Sequence, residues 1–336
     1  MKTKIFFSTV LFILINQIIG QPVPNSGFYN RPPIDGYLKI PVTQSKQGRG
    51  CSIFTFCFRE KVLFCGNLDH PNPDGYIRFW PASVEGYGGL LHGYLAKLDE
   101  QSWIAFEGGM NEKGLSFDTN GLPEVAMNPH PERTSSWESD NFWYRLLKTC
   151  SNVNEAIEMA NDFNFGNRMG FQVHVADSSG DAVVISPGAD GELSFTRKKN
   201  EEVFLVSTNF NNANPEHRHG EYPCKRYETV VNMLEKIMPG DDLSIDHLAS
   251  ILDSVHFERA TYNTIYSYIC DLKSGLFYLY HFHQYNEVVV FDLKNELTIG
   301  ERTIKIADLV SQETRDRASE EYQEYNRKET EKDNQK

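Results

Sequence analysis

A cysteine stands directly after a glycine at Gly50–Cys51. It opens the run GCSIFTFCFREKVLFCGNLDH, which closes on the polar residues Asn67 and Asp69. A thiol attacks an acyl carbon only as thiolate, and with a free pKa of about 8.5 it needs an activating group. No local cysteine–histidine protease signature accompanies it. A self-sufficient arrangement is available instead. If the Gly50–Cys51 bond is cut, Cys51 becomes a terminus, and its own α-amine, with a pKa of about 8, can take the thiol proton. Asp69 could orient that amine by hydrogen bonding, as the third group of a triad does. A glycine before the cysteine lacks Cβ and so can take the strained geometry that cleavage needs. On this stretch alone, a nucleophilic Cys51 and one more buried thiol are even readings.

The element that positions these residues is a hairpin. Alternation in CSIFTFCF puts Cys51, Ile53, Thr55 and Cys57 on one face and Phe54, Phe56 and Phe58 on the other. Both faces are apolar, so the strand belongs inside a covered sheet. With Arg59 and Glu60 as the turn, Phe58 pairs with Lys61, Phe56 with Leu63 and Ser52 with Asn67. The chain then returns Asn67 and Asp69 to the neighbourhood of Cys51.

Further strand signals are YIRFW, GLLHGYLA, SWIAFEGG and GLSFDTNG. SDNFWYRLLKTC and VNEAIEMANDF carry helical spacing, and GFQVHVADSSGDAVVISP reads as a hairpin followed by the strands ELSFTR and VFLVSTNF. PCKRYETVVNMLEKIMPG is an amphipathic helix, SIDHLASILDSV a second with Ser244 as N-cap, and TIYSYICDL, LFYLYHF and EVVVFDL are the closing strands. Strands and helices alternating in blocks predict an α+β fold, two sheets packed together with helices outside. From Gln312 the chain is charged and nearly free of apolar residues, which predicts a solvated helix or disorder over 312–336.

Residues 1–20, MKTKIFFSTVLFILINQIIG, have the charged, apolar and small-residue order of a signal peptide, which predicts an exported chain, secreted, periplasmic or lumenal. Its apolar run is interrupted by Ser8, Thr9, Asn16 and Gln17 and falls short of the ~20 residues of a membrane span, so no stable membrane insertion is expected. Residues 21–50, rich in Pro, Gly, Asn and Gln, read as a leader or pro-segment. A net charge of −13 argues against a nucleic-acid partner, because phosphate binding needs a basic surface. The six cysteines do not space like a disulfide framework; Cys57, Cys65 and Cys270 sit in apolar runs as small hydrophobes.

The stretch GCSIFTFCFREKVLFCGNLDH resembles the start of the mature chain in the N-terminal-nucleophile hydrolases of the choloylglycine hydrolase and penicillin V acylase group. It is more similar still to their relatives, the acyl-CoA:isopenicillin N acyltransferases and linear-amide hydrolases, where Gly-Cys is the cleavage junction. Gly109 to Leu115 match the GMNEKGL segment of that superfamily, LVSTNF a strand end carrying an asparagine, PCKRYETV a helix start carrying an arginine, and TIYSYICDLKSGLFYLYHF the closing hairpin. The resemblance implies a four-layer αββα sandwich of two antiparallel sheets over residues 51–311. It implies Cys51 as nucleophile with its α-amine as base, Asp69 holding amine and thiol, Asn209 in the oxyanion hole and Arg226 supporting the charge network. Asn120 aligns within a residue of a second oxyanion asparagine, and Asn67 ends the hairpin beside Asp69. Bile-salt and penicillin V enzymes carry an arginine where this chain has Gly66, which favours the acyltransferase-like branch. The chemistry implied is attack on a non-peptide linear amide of a small molecule through a Cys51 thioester, with no metal and no organic cofactor required.

Asn111 and Glu112 read as a tight turn beside their glycines. His217 with His219 and His281 with His283 are spaced like metal pairs but lack an acidic partner, and read as surface or strand histidines. Three rival readings stand beside hydrolysis: transfer of the acyl group to an amine, an inactive secreted binding relative, and an extracellular protein with Cys51 in a disulfide.

Overall fold

The computed structural model describes residues 50–98, 101–135, 142–214, 222, 224–238, 241, 243–259 and 262–333. The predicted signal peptide, residues 21–49, and His217 with His219 lie outside them. Strands β1 (Ser52–Phe58) and β2 (Lys61–His70) form the expected hairpin, with Ser52 opposite Asn67 and Phe58 opposite Lys61. Strands β3 (Gly75–Trp80), β4 (Gly89–Leu98), β5 (Gln101–Asn111) and β6 (Ser116–Ala126) follow. A short parallel ladder of β7 (Thr134–Ser135) with β8 (Phe163–Asn164) brackets helices α1 (Phe142–Thr149) and α2 (Val153–Asn161). Next come β9 (Arg168–Ala176), β10 (Ala182–Pro187), β11 (Leu193–Arg197) and β12 (Phe204–Ser207). Helix α3 (Lys225–Leu234) precedes α4 (Ile245–Ser254), whose N-cap Ser244 accepts from the His247 amide at 3.2 Å. The closing strands are β13 (Glu258–Arg259), β14 (Tyr262–Asp271), β15 (Leu276–His281) and β16 (Val289–Asp292).

Further elements follow, a 3-10 turn over Ile306–Leu309 among them. Asp292 ends β16 and caps α5 (Leu293–Ile299), its carboxylate accepting from the amides of Lys294 and Asn295. Strand β17 (Arg302–Lys305) pairs with β3. The charged tail is helix α6 (Gln312–Asp333), and it is not wholly solvated: Thr314 and Ala318 are buried and Tyr322 packs on the core. Those residues recur every fourth position, a narrow stripe that a polar helix needs to dock.

The strands make two antiparallel sheets. One has the order β12-β1-β2-β14-β15-β16, with β13 on β14; the other runs β11-β10-β9-β6-β5-β4-β3-β17. Between them lies a core containing Ile53, Phe64, Leu68, Tyr268 and Cys270 from the first sheet and Ile77, Phe79, Leu90 and Met110 from the second. On the outer side of the first sheet, Phe54, Phe56, Leu63 and Cys65 pack against Val230 and Leu234 of α3 and Leu248 and Leu252 of α4. On the outside of the second sheet, Trp143 of α1 stacks on Phe117 with ring centroids 5.2 Å apart. The layers are therefore α, β, β, α. The alternation read in β1 is the cause: its two faces supply the inner core and the helix contact, and each buried Phe contributes about 1.5–3 kcal/mol. Among the described residues no helix is long and apolar enough to cross a membrane.

Candidate active site

The hairpin register fixes the site. Cys51 precedes β1 by one residue and is 6% exposed, with its Sγ 4.0 Å from the carbonyl oxygen of Asp69. Asp69 is buried near the end of β2, opposite Thr264 of β14, where the pairing shifts between Thr264 and Tyr266. The Thr264 hydroxyl donates to Asp69 Oδ1. The other carboxylate oxygen lies against Gly50: a Cβ placed there would stand 2.2 Å from Asp69 Oδ2. Space therefore gives a reason for the glycine that the sequence did not: nothing larger than hydrogen fits between the junction and the carboxylate.

The Cys51 carbonyl is gripped from the other side. Arg226 Nη1 donates to it at 2.7 Å and to Ser52 Oγ at 3.1 Å, while Nη2 donates to Asn209 Oδ1 at 3.0 Å. Asn209, just beyond β12, donates in turn to the Gly121 carbonyl at 2.9 Å. Asn120 Nδ2 reaches the Cys51 carbonyl at 3.5 Å, at the long end of hydrogen bonding. Arg226 sits in the first turn of α3, where the helix dipole opposes a cation by about 0.3–1 kcal/mol. Glu228 in the same turn and the three hydrogen bonds named offset that cost.

Cys51, Asp69, Asn120, Asn209 and Arg226, drawn from separate parts of the chain, thus meet at one point. Asn67 does not join them: it donates to the Leu252 carbonyl of α4 at 2.9 Å, tying the hairpin to the outer helix layer. Burial raises the Cys51 thiol well above its ordinary pKa, and the charges of Asp69 and Glu107 raise it further. With Gly50–Cys51 joined, the thiol is held protonated. All six cysteines are free thiols, Cys51 included.

Gly66, where the resemblance expects an arginine, is explained by what fills the space. A Cβ there would lie 2.5 Å from the Tyr268 hydroxyl. That hydroxyl donates to Asp118 Oδ2, and burial pushes the Asp118 carboxyl well above the usual carboxylate range. The GMNEKGL segment is structural. Asn111 Oδ1 accepts from the amides of Lys113 and Leu115 at 3.0 Å each, and its Nδ2 donates to the carbonyls of Leu147 and Cys150 at 2.8 Å each, fastening the β5–β6 turn to α1. His281, read as a strand histidine, ends β15 and shares no group with His283. The ligand atoms of His283 gather instead with those of His256 and Glu258, all within 4.8 Å of one another, and the two imidazoles stack within 10° of parallel. His283 Nδ1 also lies 3.5 Å from Glu321 of α6, so the cluster ties that helix to the sheet.

Sequence reasoning missed Thr264, and also Glu107 with its donors Tyr94 and Thr119. The lone charge before the Gly-Gly pair in SWIAFEGG was the available signal for Glu107.

Residues 86–283 match the family model of acyl-coenzyme A:6-aminopenicillanic acid acyl-transferase; the Cys51 hairpin precedes the matched segment. No curated protein matches in sequence. Among solved structures, two variants of conjugated bile acid hydrolase from Clostridium perfringens superpose with a TM-score of 0.58 at 16% identity, over 76% of this chain and 96% of theirs. Penicillin V acylase from Agrobacterium tumefaciens gives 0.55 at 14% identity, over 76% of this chain and 91% of its own. These likenesses show the fold: the sandwich is that of the N-terminal-nucleophile hydrolases.

Proposed function

The chain belongs to the acyl-coenzyme A:6-aminopenicillanic acid acyl-transferase family, and on that premise we propose that it is an exported cysteine N-terminal-nucleophile amidohydrolase acting on linear amides of small molecules. The observation that carries the reading is the convergence on Cys51: its thiol beside Asp69, its carbonyl held by Arg226 and Asn120, and a glycine without room for a side chain immediately before it. Activation is cleavage of the Gly50–Cys51 bond. The thiol gives its proton to the Asp69 carboxylate and adds to the Gly50 carbonyl carbon, the peptide C–N bond breaks as its nitrogen takes that proton, and water hydrolyses the resulting thioester, leaving a carboxylate on Gly50 and a free amine on Cys51. That amine then takes the thiol proton, which the buried site otherwise retains. The thiolate attacks the substrate's acyl carbon. Asn209 and Asn120 are the amide donors available to the tetrahedral oxyanion, where one lost donor costs about 3 kcal/mol. The α-ammonium returns its proton to the leaving amine, and water releases the acyl group from sulfur.

The family's own description favours a second reading, in which an amine instead of water takes the acyl group from the same thioester. Intact-mass spectrometry of purified protein, before and after incubation with N-acyl amides, tests both. The expected result is a chain beginning at Cys51 that gains an acyl mass, with neither event in Cys51→Ala. Offering water and amines to the trapped acyl-enzyme separates hydrolase from transferase. Active material in which Gly50 is still joined to Cys51 overturns the reading.

A further inference from the structure

A closed circuit of contacts runs around the Cys51 thiol. Cys51 Sγ lies against the Asp69 carbonyl, and the next residue, His70, stacks on the Tyr94 ring with centroids 3.5 Å apart. Tyr94 donates its hydroxyl to Glu107 Oε1 at 3.1 Å, and Thr119 donates to Glu107 Oε2 at 3.3 Å. Asn120, next to Thr119, returns the circuit to the Cys51 carbonyl. Glu107 therefore stands on the rim of the site, and its charge reaches the thiol.

The backbone is built to put it there. Opposite β4, the register of β5 moves from Gly93–Phe106 to His92–Gly108, so Glu107 is the extra residue of a β-bulge. A bulge re-aims one side chain without disturbing the rest of the strand, and such devices gather at active sites. Two hydroxyl donors then hold both oxygens in place. Beside the carboxylate is the ring of Tyr94, and an aromatic row continues from it through His70 to Tyr262, whose ring centroid is 6.5 Å from that of His70. All of these residues are partly open to solvent. Burial lowers His70 to about 4, so its imidazole is neutral at ordinary pH and does not repel a cation. A fixed carboxylate next to aromatic faces is the combination that binds ammonium groups, through charge and the ring quadrupole together. The net charge of −13 adds a long-range field of the same preference.

We infer that the substrate carries an ammonium group, seated against Glu107 and the rings of His70, Tyr94 and Tyr262 while the acyl carbon meets Cys51. The inference rests on the amidohydrolase or acyltransferase reading and specifies its substrate class. The test uses the processed enzyme and two series of N-acyl amides. In one, the amine side ends in a trimethylammonium, its neutral tert-butyl isostere or a sulfonate; in the other, the acyl side carries the same three ends. In at least one series kcat/KM should follow cation over neutral over anion, with about tenfold or more between the first two. High salt should compress that ratio. In Glu107→Gln the cation-to-neutral ratio should fall toward one. If the enzyme forms acyl-Cys51 from these amides with no cation preference in either series, the inference is overturned while the amidase reading stands. Loss of turnover in Glu107→Gln with the wild-type ratio retained also overturns it, since the carboxylate would then serve the Cys51 amine. If no amide of any charge acylates Cys51, both fall. The wild-type panel decides even where the variant fails to fold.

Discussion

Gly50→Ala is the smallest change that tests how the cleavage junction is built. The new methyl carbon would sit 2.2 Å from Asp69 Oδ2, 3.0 Å from its Cγ and 3.1 Å from its Cβ. Ordinary contact starts near 3.4 Å, so the carboxylate must withdraw by about 1 Å or the junction must move away by as much. Asp69 has little room to yield, being 2% exposed and held at Oδ1 by Thr264. Overpacking of this kind costs about 1–3 kcal/mol, and breaking a hydrogen bond to a charged group costs about 1.5–3 kcal/mol more. A displacement of about 1 Å in a reacting pair slows chemistry by up to ~100-fold. Alanine at position 50 should therefore slow release of the chain beginning at Cys51 by one to two orders of magnitude, roughly. Intact-mass spectrometry over time, on wild type and variant expressed in parallel, measures the rate, and a thermal melt reads the strain. Cleavage at the wild-type rate with an unchanged melting temperature would show that the junction and the carboxylate do not compete for space, and the reasoning would be refuted.

Two other substitutions probe the buried polar network. Gly66→Ala drives a methyl to 2.5 Å from the Tyr268 hydroxyl that donates to Asp118, so chemical denaturation should report a loss of about 3 kcal/mol. Gly170→Ala, whose Cβ meets nothing nearer than 3.4 Å, should stay within about 0.5 kcal/mol of wild type, and equal losses at the two positions would contradict the account. His174, buried between the Thr55 and Ser207 hydroxyls at 2.9 Å each, is lowered to about 3 by desolvation. The unfolded chain takes up that proton at a pH near 6.5 while the folded chain refuses it until about 3, so this group's contribution falls as pH drops, by about 1.4 kcal/mol per unit between roughly pH 6 and 4. His174→Gln should remove that slope from urea midpoints measured across the range; an identical slope in both proteins would mean that the native state accepts the proton.

The parts of the architecture that were legible are those governed by short-range rules. The register of the first hairpin follows from counting outward from Arg59–Glu60, and the two faces of β1 follow from its alternation. The same register returned Asn67 and Asp69 together to the neighbourhood of Cys51, and alternation puts both on the face of Leu63 and Cys65, so only the contacts separate them: Asn67 turns to the Leu252 carbonyl of α4 and Asp69 to the junction of Gly50 and Cys51. Asn209 and Arg226 could be named only through resemblance, because nothing near them in sequence indicates the Cys51 carbonyl that Arg226 holds while bonded to Asn209. The lone charge in SWIAFEGG marks Glu107, but what Thr264 and Glu107 do was out of reach for a different reason. Each acts where strand pairing shifts register, and a shift depends on both partners at once. Helix α5 escaped notice because Asp292 ends a strand and caps a helix with no intervening turn, which leaves no Gly or Pro to mark the boundary.

Strand β1 is interior to its sheet, paired with β2 from Ser52 to Phe58 and with β12 from Ile53 to Phe56. Chain ends ordinarily fray and sample many positions. Severing the backbone just ahead of β1 would create an end of another kind, moored on both sides by ladders that the uncut chain already holds. On the proposed mechanism the uncleaved polypeptide would rehearse its catalysis on itself, with its own upstream carbonyl as the first acyl group presented to the sulfur. What the scission removes is an occupant, and the furniture of the room need not move.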